Sequence, residues 1–176
     1  VMFTEYRLSE ALMTLYKFIW DDFCAWYLEM IKPAYEAPID RQTLQQSIAL
    51  FERMMTLLHP FMPFVTEEIW HQLRERAAGD DCVISKYPKA AAFDAVFIEK
   101  IERAKGLVTG VREIRNNNGL KQKELLKVFA QDTPSSRELL AMDGLLPMVV
   151  KMASLEFLQI TSAEISNGIA FLVGNE

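Results

Sequence analysis

Between Leu8 and Pro33 the apolar residues recur with a helical period. Leu8, Leu12, Leu15, Ile19, Phe23, Trp26 and Met30 are spaced 4, 3, 4, 4, 3 and 4, which places them on one stripe at about 100° per residue. Tyr16, Trp20, Cys24, Tyr27 and Ile31 flank that stripe and widen the apolar arc to roughly half the circumference, more than one neighbouring helix covers. The pattern predicts one long buried helix ended at Lys32, because Pro33 disfavours α geometry at the residue before it. Helical from Leu8 to Lys32, it is about 37 Å long, a length that suits a bundle.

Three more helices follow from the same reading. Asp40 is a good N-cap for the set Leu44, Ile48, Phe51, Met55, Leu58, which Pro60 closes. Pro63 fits the first position of the next helix, where its missing N–H costs nothing, and Glu67 and Glu68 then lie near the positive dipole end. AAGDD breaks this helix, and CVISKYP reads as a short extended segment ended by Pro88. Asp94 caps a fourth helix carrying Phe97, Ile101, Ala104, Val108 and Val111, in which Gly106 and Gly110 predict close helix packing and NNNG at 116–119 a stop.

Beyond residue 119 the pattern changes. ELLKVFAQ reads as a strand, PSSRELLAMDG and LLPMVVKMA as short helices, and SLEFLQI and GIAFLVG as two strands around an SNG turn. The fold expected is mainly α: an antiparallel helical bundle over residues 1–119, then a small α+β appendage over 120–176 that ends just after its last strand and lacks a further strand or tail.

At 176 residues and 51% hydrophobic, the chain is long enough for a sizeable core. It has no apolar run long enough to cross a membrane and no cleavable leader, so a cytoplasmic location is expected. Cys24 and Cys82 form no CxxC, and His59 and His71 have neither metal-ligand spacing nor a nearby nucleophile, so reduced thiols and structural or solvent-facing histidines are expected. No GxxxxGKS or GxGxxG cradle is present. KMASL at 151–155 superficially matches the lysine loop of class I synthetases but lacks its second lysine.

The net charge of −5 argues against a generally basic nucleic-acid binder, yet seven bases stand against two acids between Arg103 and Lys127. Such asymmetry marks either a surface that meets an anion or a solvated helix end. Asp21 and Asp22 point about 100° apart on a helix and cannot share a substrate; Asp22 and Glu29 share a face and are expected to meet a base such as Arg7, Arg41 or Arg53. Lys105, Arg112 and Asn116 line one edge of the fourth helix, a geometry that can follow a phosphate backbone. Arg115 falls inside the apolar stripe, so either the core has ended there or an acid or a ligand phosphate holds it. Tyr16, Trp20 and Tyr27 are either core or a stacking platform for unpaired bases.

The runs EALMTLYKFIWDDFCAWYLEMIKP, LLHPFMPFVTEEIWHQL and VREIRNNNGL, in that order and spacing, resemble the anticodon-binding region of the valyl-tRNA synthetases, class I enzymes, over nearly the whole chain. The isoleucyl and leucyl relatives share the proline-bounded helix with its EE-plus-Trp signature, but WDDF…WYLEMIKP favours the valyl type. Tyr87-Pro88 stands where the family usually has Trp-Pro, and the family's paired arginines appear as Arg112 and Arg115. The resemblance implies a bundle that docks the anticodon stem-loop of tRNA(Val) and joins the catalytic body of the same polypeptide, with valine activation using ATP and Mg, and editing, in domains upstream of Val1. No catalytic, cofactor-binding or metal residue is expected in this chain, and neither DNA nor membrane as a partner. The tRNA-binding candidates are Lys105, Arg112, Arg115, Asn116, Lys121 and Lys123. The rival reading is a helical protein-interaction module whose basic strip meets an acidic partner.

Overall fold

The helical path predicted from Leu8 forms, but its winding changes midway. In the computed structural model, which describes residues 2–121, 124–166 and 168–173, α1 (Leu8–Lys17) is α-helical, Phe18–Tyr27 is π-helical, and a last turn, α2 (Leu28–Ile31), returns to α geometry. An i→i+5 ladder takes more residues per turn than an α-helix, so residues four apart stay more nearly in line. Ile19, Phe23 and Tyr27 accordingly all pack into one core with Met54 and Met55. Tyr27 thus takes the place that a 3.6 period gives to Trp26, which is half-buried. Phe23 stacks on both Tyr27 and Phe51 at 5.4 Å. At the other end of the stripe Leu8 is exposed.

Asp40 caps α3 (Arg41–Leu58) as expected, its Oδ1 accepting the Thr43 N–H at 2.8 Å. Pro63 opens α4 (Pro63–Leu73). CVISKYP is not extended throughout: Cys82–Ile84 forms a 3₁₀ turn. The reason lies in Glu67, whose carboxylate accepts the N–H groups of Cys82 (2.7 Å) and Val83 (3.2 Å) and so fastens the first donors of that turn. The turn buries Cys82, and that burial, with Glu67 adding, raises its thiol pKa. Both cysteines are free thiols, Cys24 half-buried.

Asp94 caps α5 (Ala95–Asn117) through the Phe97 N–H at 3.0 Å, and Ala104, Val108 and Val111 are its buried face. The helix stops in a Schellman motif: Gly119 is left-handed at φ 65°, its N–H meets Asn116 O at 3.3 Å, and the Leu120 N–H meets Arg115 O at 3.0 Å. There follow β1 (Leu126–Gln131), α6 (Pro134–Leu140), α7 (Leu145–Met152) and β2 (Leu155–Thr161), with β1 and β2 paired in parallel so that Val128 faces Leu158 and Ala130 faces Ile160.

The third strand expected at GIAFLVG does not form among the described residues 168–173. That segment instead lies over the two helix glycines. A Cβ at Gly110 would meet the Phe171 ring at 2.5 Å, and one at Gly106 would meet Val173 at 3.1 Å. Close packing at these glycines is real, but the partner is the C-terminal segment rather than a helix. Gly174 and Asn167 of the predicted strand and turn lie outside the described residues.

The architecture is therefore mainly α with a small two-stranded parallel sheet. It divides into two compact units, Val1–Ala91 and Ala92–Glu176. The division falls before α5 rather than at 119/120, because α5 packs on α7 and the C-terminal segment.

Candidate nucleic-acid interface

The end of α5 is built around two arginines with different tasks. Arg115 is 4% exposed, and its guanidinium donates to four backbone carbonyls: Lys121 O (3.0 Å), Glu124 O (2.6 Å), Ala153 O (3.1 Å) and Ser154 O (2.6 Å). Arg112, one helical turn earlier and exposed, donates to Met152 O at 3.1 Å. Met152, Ala153 and Ser154 close α7, so both cations sit at the negative end of that helix. Neither an acid nor a phosphate is needed to explain Arg115. Its burial and its carbonyl partners fit a structural part: it holds the loop after α5 against the α7–β2 turn.

The other candidates are placed as follows. Lys105 is largely covered and pairs with Glu102 at 2.8 Å. Asn116 and Lys121 are exposed beside the clamped loop, and Lys123 lies outside the described residues. Much of the surrounding basic run is matched by acids: Lys100 with Glu138 (2.6 Å), Arg103 with Glu99 (3.2 Å), Lys127 with Glu156 (3.7 Å). The Lys100 contact holds the Glu138 carboxyl below the usual carboxylate range. The positive excess counted along the chain is therefore partly matched by acids at the surface, while Arg112 and Lys121 are exposed near the end of α5.

In the other unit, the three aromatics singled out from the sequence separate. Tyr27 is core, and its hydroxyl donates to Ser47 Oγ at 3.1 Å, since Ser47 commits its own proton to Thr43 O at 2.7 Å. Tyr16 and Trp20 are 54% and 61% exposed and stack on each other, 6.4 Å between centroids and 7° from parallel. Glu29 pairs with Lys32 at 3.3 Å, and Arg7 with Glu5 at 3.1 Å and with Glu10.

His59 plays the structural part expected. Its Nδ1 is 2.7 Å from the hydroxyl of Thr66, which is fully buried and lies 2.8 Å from Met62 O. A carbonyl only accepts, so the Thr66 proton goes to Met62 O and His59 donates from Nδ1. His71 is less isolated than its sequence neighbours suggest: Nε2 stands 3.1 Å from Asp81 Oδ1 and 3.4 Å from Glu67 Oε1. Asp81 lies beyond the AAGDD break, so periodicity gives no sign of this grouping. Glu67 at i and His71 at i+4 is the only part of it that spacing reveals.

No helix among the described residues is long and apolar enough to cross a membrane. A sequence-family model described as "Anticodon-binding domain of tRNA ligase" matches residues 2–130. Curated relatives include the valine–tRNA ligase of Porphyromonas gingivalis, 38% identical over 98% of this chain and 19% of its own length, and that of Christiangramia forsetii, 36% identical over 97% and 19%. The valine–tRNA ligase of Phocaeicola vulgatus is 42% identical over 72% of this chain and 14% of its own length. The chain spans about a fifth or less of the length of these relatives.

Proposed function

The chain belongs to the family of anticodon-binding domains of tRNA ligases, and from that premise we propose that it is the anticodon-binding part of a valine–tRNA ligase, docking the anticodon stem-loop of tRNA(Val). The observation that carries the valine assignment is the 36–38% identity to valine–tRNA ligases across nearly the whole chain. In this reading the helices of the first unit form an antiparallel bundle, and the protein works in the cytoplasm. Phosphate contacts fix register while base edges and stacking supply identity. Arg112, Asn116 and Lys121 present polar groups at the end of α5, with Lys105 along the same helix; Lys123, close to them in sequence, is the remaining candidate. Arg115 contributes by positioning that loop.

Valine activation with ATP and Mg belongs to the rest of the polypeptide. The sequence here carries neither the GxxxxGKS nor the GxGxxG pattern whose backbone cradles a nucleotide's phosphates. Valine-dependent pyrophosphate exchange by the 176-residue chain should stay at background.

The test is binding of tRNA(Val) and of a non-cognate tRNA to the chain at two salt concentrations. Affinity should fall steeply with salt, and Lys121→Glu should weaken binding and lower the salt slope by about 1. No binding at low salt, or a Lys121→Glu protein that binds as the parent does, would reject the placement. Equal binding of every tRNA would leave a general RNA-binding surface in place of an anticodon reader.

A further inference from the structure

We propose that Glu67, His71 and Asp81 form a binding site for a divalent transition-metal ion of the zinc type. Each offers one ligand atom, and the three atoms lie within 4.8 Å of one another. His71 Nε2 is 3.1 Å from Asp81 Oδ1 and 3.4 Å from Glu67 Oε1. A tetrahedral zinc with bonds of about 2.0–2.1 Å sets neighbouring ligand atoms about 3.3 Å apart, so those two edges already match a coordination polyhedron. One imidazole with two carboxylates suits zinc better than magnesium, which keeps an oxygen shell and its waters.

The ligands are also held. Glu67 and His71 are four apart on one face of α4. The Cys82 and Val83 N–H groups fix the Glu67 carboxylate, and the same turn delivers Asp81. Backbone support of this kind orients metal-binding carboxylates. A hollow of about 400 Å³ lies on the Glu67–His71 side of the cluster, lined by those two, Val83 and also His59, while Asp81 stands outside it. Nδ1 of His59 is taken up by the Thr66 hydroxyl, which leaves Nε2 as the ring nitrogen open to a ligand. A bound ion would tie α4 to the turn at 82–84, with water completing its shell.

Titration of the 176-residue chain with Zn²⁺ alone by calorimetry, and with Co²⁺ by absorption, tests the site. One equivalent should bind saturably, Co²⁺ should show the intense visible bands of a four-coordinate ion, and Zn²⁺ should raise the Tm in a concentration-dependent way. His71→Ala and Asp81→Asn should each weaken binding at least tenfold and abolish the Tm shift. Both side chains are exposed, 43% and 42%, so the variants keep the fold, which circular dichroism checks. Glu68→Gln, which alters another residue lining the hollow, should bind as the parent does. Absence of saturable binding, or undiminished affinity in His71→Ala, overturns the proposal and leaves a histidine hydrogen-bonded between two carboxylates.

Discussion

Each of the two compact units buries one arginine, and the two satisfy it in opposite ways. In the first, the Arg76 side chain, 6% exposed, meets carboxylates and a ring: Glu52, itself 14% exposed, Asp80 at 3.1 Å, and the face of Trp70 3.8 Å from the guanidinium carbon. Its Nε–H adds a bond to Trp70 O at 2.8 Å. In the second, Arg115 gathers four carbonyl oxygens. An ion pair fastens two side chains, each of which gives up rotamer freedom. Carbonyl contacts fasten backbone directly, and here they join two loops about thirty residues apart in sequence, Lys121 and Glu124 to Ala153 and Ser154. The unit expected to present phosphate contacts is thus organised by a cation that is itself withdrawn from solvent.

The largest effect should come from Arg115. Arg115→Ala leaves four carbonyls without their donor in a covered site, a loss on the order of 3–5 kcal/mol, read as a lower urea midpoint. Arg115→Lys should recover only part of it, since an ammonium has three donors and no planar fork. A fully stable Arg115→Ala protein would mean that water replaces the guanidinium. Glu52→Gln tests the other arginine and should cost less, about 2 kcal/mol, because Asp80, the Trp70 carbonyl and the indole ring stay in place. If Glu52→Gln costs more than Arg115→Ala, the ranking of carbonyl clamp over ion pair is reversed.

How far these features could be read from the sequence differs by kind. Asp40 and Asp94 as caps and Pro63 as a first helical residue act within one turn of where they stand, and those roles were legible. So was the buried face of α5, because Ala104, Val108 and Val111 are spaced 4 and 3 and Arg115 continues the series by 4. The sequence thus set Arg115 on the apolar stripe but left open whether the core had ended there, and it could not name partners such as Ala153 and Ser154, since backbone carbonyls have no residue signature. The switch to π winding at Phe18–Tyr27 was hidden for a related reason. The 4, 3, 4, 4, 3, 4 spacing fits an α-helix, and the choice of Tyr27 over Trp26 depends on Phe51 and Ser47 across the contact. GIAFLVG has strand composition, and only the glycines of α5 show what it covers. The Glu67–His71–Asp81 grouping depends on a turn that closes through backbone N–H groups, again silent in side-chain pattern.

Those glycines allow a smaller, signed test. In an exposed helix Gly→Ala gains about 1 kcal/mol. At Gly110 the new methyl would meet the Phe171 ring at 2.5 Å, so Gly110→Ala should instead lose about 1 kcal/mol as the ring is displaced. Pairing it with Phe171→Ala should restore the helix-propensity gain relative to Phe171→Ala alone. A double-mutant cycle by urea unfolding reads the coupling, and additivity would show that Phe171 does not press on α5.

The smallest effect belongs to a third guanidinium, which is exposed in the last turn of α6. Arg137 donates to Asp132 Oδ2 at 2.7 Å and is 67% exposed at its side chain. This hydrogen bond, with Ser162 adding a weaker one at 3.2 Å, holds the Asp132 carboxyl below its ordinary value. A carboxyl whose folded pKa lies below its unfolded one stabilises the fold above the ordinary aspartate range and loses that contribution as pH falls through the folded value. NMR titration of the Asp132 side-chain carbon should therefore show a depressed midpoint that rises toward the ordinary range in Arg137→Ala. Stability at neutral pH should barely change, because an exposed pair is screened and pays side-chain entropy. A large neutral-pH loss in Arg137→Ala would show that exposure does not separate this arginine from Arg76 and Arg115.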